Sequence, residues 1–403
     1  MSESSTPAPV PGIVAYVASR ELMQASARLP SNPHRATLVH GLARALGLFE
    51  PHPRPRRHLT LLAPPPASTA QLGAYHSAEY LAFVLDGEGD GAEFGLVDDC
   101  HPFPGMDDYV RRVGGASLAA AQVVLRGTGS PASSSLTSAP APQTDITAST
   151  TPPPPAPIAI AWDGGRHHAT RSHAAGFCYV GDCVLAILAL RRARRRVVYL
   201  DLDVHFGDGV AGAFRGGRGR GCWQTLSIHH AAPGFFPASP FAELPTPDSD
   251  PFSLSLPLMA GASNGTYARA WGAVERCGVD GLAGDACGVG NWGLGPVGEA
   301  GTLGWCVQRV LEWGWGRCCW GRGYNSPNAA RAWAYLTSIA LGDPLDLSMP
   351  IPDHAQFPLY GPSFTLDVAV GTMQDTNTEA HMAAVEVAFE AAAQKIRPPA
   401  TSM

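Results

Sequence analysis

Apolar and polar positions alternate along this chain in blocks that predict its elements. GIVAYVAS, from Gly12, is a short apolar run and predicts a strand. HRATLVHGLARALGL has apolar residues at three- and four-residue spacing and predicts a helix, and DDYVRRVGGASLAAAQVVL predicts another, ending near Gly127. From Pro157 the order becomes strand, helix, strand. PIAIAW and RVVYLDLDV are too continuously apolar to leave one face in water, CVLAILALRRA between them reads as a helix, and CWQTLSIHH reads as a further strand. This pattern predicts an α/β fold, a central parallel sheet with helices on both faces. In such folds the chemistry sits beyond the C-terminal ends of the strands.

Two kinds of segment break the pattern. Residues 1–11 form a Pro/Ser tail expected to be disordered, and residues 397–403 a second tail. Residues 127–156 (GTGSPASSSLTSAPAPQTDITASTTPPPPA) are low in complexity and have no periodic apolar face. They read as a flexible loop ending in a polyproline spacer. A strand follows directly, so this stretch is taken as an insertion within one domain spanning 12–396.

Composition narrows the field. The chain has 403 residues, 45% hydrophobic and 15% charged, which excludes wholesale disorder. It has no apolar run of about 18 residues, so no membrane-spanning helix is expected. The opening MSESSTPAPVPG lacks a charged and then apolar leader, which argues against secretion. A net charge of −6 argues against nucleic-acid binding through bulk charge. The nine cysteines, Cys318 and Cys319 among them, read as reduced thiols. Of the 28 Lys+Arg residues only Lys395 is lysine, which reflects GC-rich codon usage rather than function. RRARRR at 191–196 reads as a solvated helix end in preference to a nuclear signal.

The chemistry concentrates in four segments. In VVYLDLDVHFGDGV, Asp201, Asp203 and His205 are spaced two apart at the end of a buried strand, which places them on one side. Two carboxylates and an imidazole converging there would suit Zn²⁺ or a similar cation. Asp208 follows between glycines. In AWDGGRHHATRSHAAGFCYVGD, the tandem His167 and His168 follow a strand and a Gly-Gly turn and are candidates for proton transfer. Each needs a partner on its second nitrogen, with Asp201 and Asp208 the available carboxylates. In GVDGLAGDACG, either Asp280 or Asp285 could complete a metal site. In WGRGYNSPNAARAWAYL, Tyr324 sits in a glycine-rich turn, and Asn325 or Ser326 could start the next helix.

Together these segments resemble the zinc-dependent histone deacetylases of class I, in particular the small single-domain branch. GGRHHA, AGFCYV, DLDVHFGDG, PGFFP, GVDGLAGD and GYN occur in that family's order, with LPSNPHRATLVHGL, FGLVDDC and IPDHAQFPLYGP as weaker anchors. The resemblance implies hydrolysis of acetyl-lysine in histone tails or other proteins, a role in chromatin, a possible corepressor complex, and a nuclear or cytoplasmic location, without direct contact to nucleic acid or membrane. It also implies Asp203, His205 and Asp280 as zinc ligands. His168 would be the general base and acid with His167 beside it, oriented by Asp208 and Asp201 respectively. Tyr324 would donate to the carbonyl oxygen. Phe177, Phe236 and Gly176 would line the acetyl-lysine channel, with Asp99 on its rim and Arg35 near an internal acetate cavity. Oxygens around Asp201, Asp203, His205, Ser227 and Ile228 would hold a structural K⁺.

The chain departs from the family in three places. The apolar strand expected before GVDGLAGD is missing, a gap of roughly fifteen residues against ordinary connection lengths. Trp320 and Arg322 stand where glycines are expected, so Tyr324 is expected to be displaced. Phe206 replaces a second histidine that is not a ligand, and little effect is expected. Two alternatives remain beside an active deacetylase. One is a catalytically impaired deacetylase-like binding protein, and the other an acetylpolyamine amidohydrolase.

Overall fold

The structure is a computed structural model that describes residues 12–51, 57–87, 90–127, 156–192, 196–216, 223–277, 282–285 (as backbone), 294–313, 316–321 and 323–396. The two tails, nearly all of the expected insertion, Asp280 and Arg322 lie outside the described residues.

In chain order the first elements are β1 (Gly12–Val17), α1 (Arg20–Ser26), α2 (Arg35–Ala45), β2 (Arg57–Leu62), α3 (Thr69–Leu72), α4 (Ala78–Asp86) and α5 (Met106–Gly127). There follow β3 (Ile158–Ala161), α6 (Asp182–Arg192), β4 (Val197–Asp201), α7 (Asp208–Phe214), β5 (Trp223–His230) and β6 (Ser253–Leu258). The chain continues with α8 (Asn264–Arg276), β7 (Leu282–Asp285), α9 (Leu303–Glu312), β8 (Arg317–Trp320), α10 (Ser326–Leu341) and α11 (Glu379–Ile396).

The strands form one parallel sheet in the order β2-β1-β3-β8-β7-β4-β5-β6. Both faces are covered, and strand periodicity shows it. Ile158 and Ile160 of β3 belong to one core with Val198 and Leu200 of β4. Their neighbours Ala159, Ala161, Val197 and Tyr199 belong to the core on the opposite face. Successive side chains point to opposite faces, so a strand apolar throughout needs cover on both, as its sequence implied.

Two expectations are corrected here. β4 stops at Asp201, so Asp203 and His205 do not lie on a strand. Asp201 Oδ1 accepts the Asp203 N–H at 3.0 Å, and Asp203 Oδ1 accepts the His205 N–H at 2.8 Å. These side-chain-to-backbone bonds curl the chain and outcompete the ladder. The strand expected before GVDGLAGD is also not simply missing from the sheet. Its position between β4 and β8 is filled by β7, residues Leu282–Asp285 of that motif, with Leu282 beside Val198 and Asp285 beside Asp201. An empty position would leave two rows of buried backbone groups without partners. The aspartate level with Asp201 is therefore Asp285.

Candidate active site

The site lies where β3, β4 and β8 end. His167 and His168 follow the turn after β3, and both are wholly buried. His167 Nδ1–H donates to Asp201 Oδ2 at 2.6 Å, and His168 Nδ1–H donates to Asp208 Oδ1 at 2.7 Å. The two Nε2 atoms converge 2.9 Å apart. With each Nδ1 proton committed to a carboxylate, a hydrogen bond between these Nε2 atoms needs one additional proton held on one of them. The pair is thus arranged to hold and release a proton at one point. Tyr199 also donates to Asp201 Oδ2, at 2.8 Å, and fixes that carboxylate.

Beside the pair, the curled segment after β4 brings His205 Nδ1 to within 3.0 Å of Asp203 Oδ1. The His205 ring stacks on Phe235, with centroids 5.2 Å apart and planes 5° from parallel. Oxygen and nitrogen donors converging in this way fit a divalent cation such as zinc. Among the described residues no third donor joins them. Sequence reasoning missed Phe235, although its PGFFP context was noted.

The walls are aromatic. Phe236 lies 4.8 Å from the His168 ring and 6.0 Å from His205. Phe177 lies 5.6 Å from the Tyr324 ring, and Tyr324 lies 6.2 Å from His205. Gly176 has φ +52°, and a Cβ there would fall 2.4 Å from His168 Cδ2. Glycine is thus required both by conformation and by contact. Cys100 Sγ accepts the Phe177 N–H at 3.2 Å, which ties the exposed Asp99 to this wall.

Tyr324 is not carried away from the site by its bulky neighbour. Its carbonyl accepts from Asn32 Nδ2 at 3.4 Å, and the Gly323 carbonyl accepts from Asn32 Nδ2 at 3.3 Å and Arg35 Nη1 at 3.2 Å. Asn325 caps α10, accepting the Asn328 N–H at 3.1 Å. Trp320 points the other way, fully buried in the core on the α5 side. Phe206 is buried against the His229 ring at 4.9 Å and takes no part in the donor set. Asn32 was missed although LPSNPHR was noted, because nothing local signals a partner at the far end of the chain.

Buried polar groups lie beneath the site. His40 bridges Asp163 Oδ2 and the Tyr16 hydroxyl, each at 2.9 Å. Burial alone would raise the Asp163 carboxyl, but His40, Arg35 and Ser26 outweigh it and hold it below its ordinary value. Burial and the Asp163 charge push the Tyr16 hydroxyl well up. Ser227 pairs with Asp201 across β4 and β5, and Ile228 beside it is buried. His76 accepts the Gly181 N–H at 3.0 Å and donates to the Arg171 carbonyl at 3.1 Å, and burial lowers its pKa to about 4.

Comparison with known proteins agrees with this geometry. The histone deacetylase domain family matches residues 29–340. Histone deacetylase 8 of Danio rerio is 32% identical over 395 residues, covering 92% of this chain and 92% of that protein. The chain belongs to the histone deacetylase family. Histone deacetylase clr6 of Schizosaccharomyces pombe is 29% identical over 376 residues, covering 88% of this chain and 82% of its own. Membership makes the protein a hydrolase of the lysine-deacetylating kind, in a family that is zinc-dependent. The arrangement of His167, His168, Asp203, His205 and Tyr324 in this deacetylase is consistent with that chemistry.

Proposed function

We propose that this deacetylase hydrolyses N6-acetyl-lysine in histone tails or other proteins, with His168 as general base and acid. The observation that carries the reading is the paired His167–Asp201 and His168–Asp208 bonds, whose Nε2 edges meet beside Asp203 and His205. Asp203 and His205 would hold zinc with a third donor, for which Asp280 or Asp285 is available in the sequence. Zinc held there would supply Lewis acidity, polarising a carbonyl and lowering the pKa of water to about 7.

The chain's own residues carry the proton traffic. His168 Nε2 takes the proton from the attacking water and later returns it to the lysine nitrogen as the amide C–N bond breaks. Asp208 keeps the His168 Nδ1 proton in place throughout, so Nε2 is the working nitrogen. His167, held by Asp201, steadies the charge that forms on its neighbour. The Tyr324 hydroxyl donates to the oxygen that becomes negative, and one such donor is typically worth about 3–4 kcal/mol. Phe177, Phe236 and the bare Gly176 backbone suit the uncharged stem of acetyl-lysine. The exposed Asp99 and the acidic chain suit a basic peptide around it. A structural K⁺ held by oxygens around Asp201, Asp203, His205, Ser227 and Ile228, membership of a corepressor complex, and action in nucleus or cytoplasm belong to the same reading.

The test is zinc content together with turnover of a fluorogenic acetyl-lysine peptide. One zinc per chain, and turnover cut about 10³-fold in His168→Ala and severely in Tyr324→Phe, is the expected result. Folded protein without zinc or turnover would overturn it in favour of a binding protein. Turnover of acetylpolyamines in preference to the peptide would overturn the substrate class.

A further inference from the structure

Trp320 stands where glycine was expected, and the structure gives its side chain a partner. It ends β8 and is wholly buried. An indole N–H can only donate, and this one donates to Ser117 Oγ of α5 at 2.9 Å. The serine retains its own proton and gives it to Asp182 Oδ2 at 2.5 Å. Asp182, the wholly buried first residue of α6, also accepts the Gly165 N–H at 3.0 Å and the Arg166 N–H at 2.7 Å. A continuous series of bonds thus runs from β8 through α5 and α6 to the backbone N–H groups of Gly165 and Arg166, the two residues just before His167.

Packing enforces the same coupling. A Cβ on Gly164 would lie 2.5 Å from Asp182 Oδ2, 2.6 Å from Trp320 Cδ1 and 2.9 Å from Ser117 Oγ. The backbone of the turn therefore rests on all three side chains. Buried hydrogen bonds in series polarise one another, and here the indole is the donor at the head of the series. Glycine at 320 would remove that donor and leave a ring-sized void behind Gly164.

Resting on the deacetylase reading, we propose that Trp320 is a positioning residue. Through Ser117 and Asp182 it fixes the Gly164–Gly165 turn, and thereby where His167 and His168 present their Nε2 atoms.

Trp320→Phe keeps a buried ring and removes the donor, while Ser117→Ala breaks the series one bond further on. The full-length, zinc-loaded protein is compared with each variant in two ways. The first is steady-state kinetics on the acetyl-lysine peptide. The second is the low-field proton resonances of the His167 and His168 Nδ1–H groups. Trp320→Phe is expected to lower kcat about tenfold with KM within about twofold, and to move those resonances. The double variant is expected to fall no further than the worse single one, because both changes break one series. Unchanged kcat with unmoved resonances, or two effects that multiply, would overturn the proposal. Should Trp320→Phe fail to fold, Ser117→Ala decides with the indole still in place. If the wild type itself has no turnover, the deacetylase reading fails separately. The resonances then decide the positioning role: movement supports it and its absence overturns it.

Discussion

The two sides of the site are held in different ways. On the β4 side, short bonds between neighbouring segments fix each group: Asp201 to His167, Asp208 to His168, Asp203 to His205. On the β8 side, Tyr324 is held through its own and its neighbour's backbone carbonyls, by Asn32 and Arg35 from the start of the domain. Its ring is half exposed, whereas His167 and His168 are fully enclosed. The first side is rigid through side-chain bonds made locally. The second depends on tertiary docking of α2 against α10, which share extensive contact. Substitutions should therefore act abruptly on the first side and by degrees on the second.

The strongest test of this contrast is His168→Ala. It removes the proton carrier and should lower kcat about 10³-fold, within the usual range for general acid–base groups, while circular dichroism stays native. A smaller effect would mean that His167 can substitute for it. Tyr324→Phe keeps the ring against Phe177 and deletes the donor, and should cost about 10²-fold in kcat. An effect as large as that of His168→Ala would make the two sides equally critical.

The next effect is on stability. His76 anchors the segment between His168 and α6, and its pKa falls to about 4 from an ordinary 6.5 because burial disfavours the charged ring. The unfolded chain therefore binds more protons between pH 6.5 and 4. Stability contributed by neutral His76 is complete above pH 6.5 and is lost as pH falls toward 4, by about 2 kcal/mol at pH 5. Urea midpoints at pH 7.5 and 5 should show the drop, and His76→Gln should flatten part of it. His229, lowered to about 4 chiefly by burial, acts in the same direction and retains the rest. An unaltered slope in the variant would show that His76 does not titrate with folding.

Asn32→Ala should have the smallest effect, about a tenfold loss of kcat with KM little changed. Combined with Tyr324→Phe it should add little, since the Tyr324 hydroxyl is what Asn32 positions. Full additivity would detach Asn32 from Tyr324 and remove the distinction between the two sides.

Much of the site was legible because its signals are local. The spacing of Asp201, Asp203 and His205 marked where polar side chains gather, although by an incorrect route. The segment curls because Asp201 and Asp203 each bond the backbone amide two residues on, not because it is a strand. His167 and His168 found the carboxylates expected of them because Asp201 ends β4, the next strand along the chain, and Asp208 opens the helix that follows it. Asn32, Phe235, Ser117 and Asp182 left no comparable trace. A serine within a helix or an asparagine in a loop looks the same whether or not a distant group has docked on it.

The sequence by itself determined the parallel α/β architecture, because hydrophobic period acts over a few residues, and its motifs carried the family resemblance that implied the histidine–aspartate pairs. Only the tertiary structure decided three further matters. It filled the place between β4 and β8 with Leu282–Asp285, since the sheet's backbone groups must be paired wherever the chain can reach. It kept Tyr324 beside His205 despite Trp320, through bonds from Asn32 and Arg35. It also turned that tryptophan inward onto Ser117, because a buried indole N–H needs an acceptor and the fold places one 2.9 Å away.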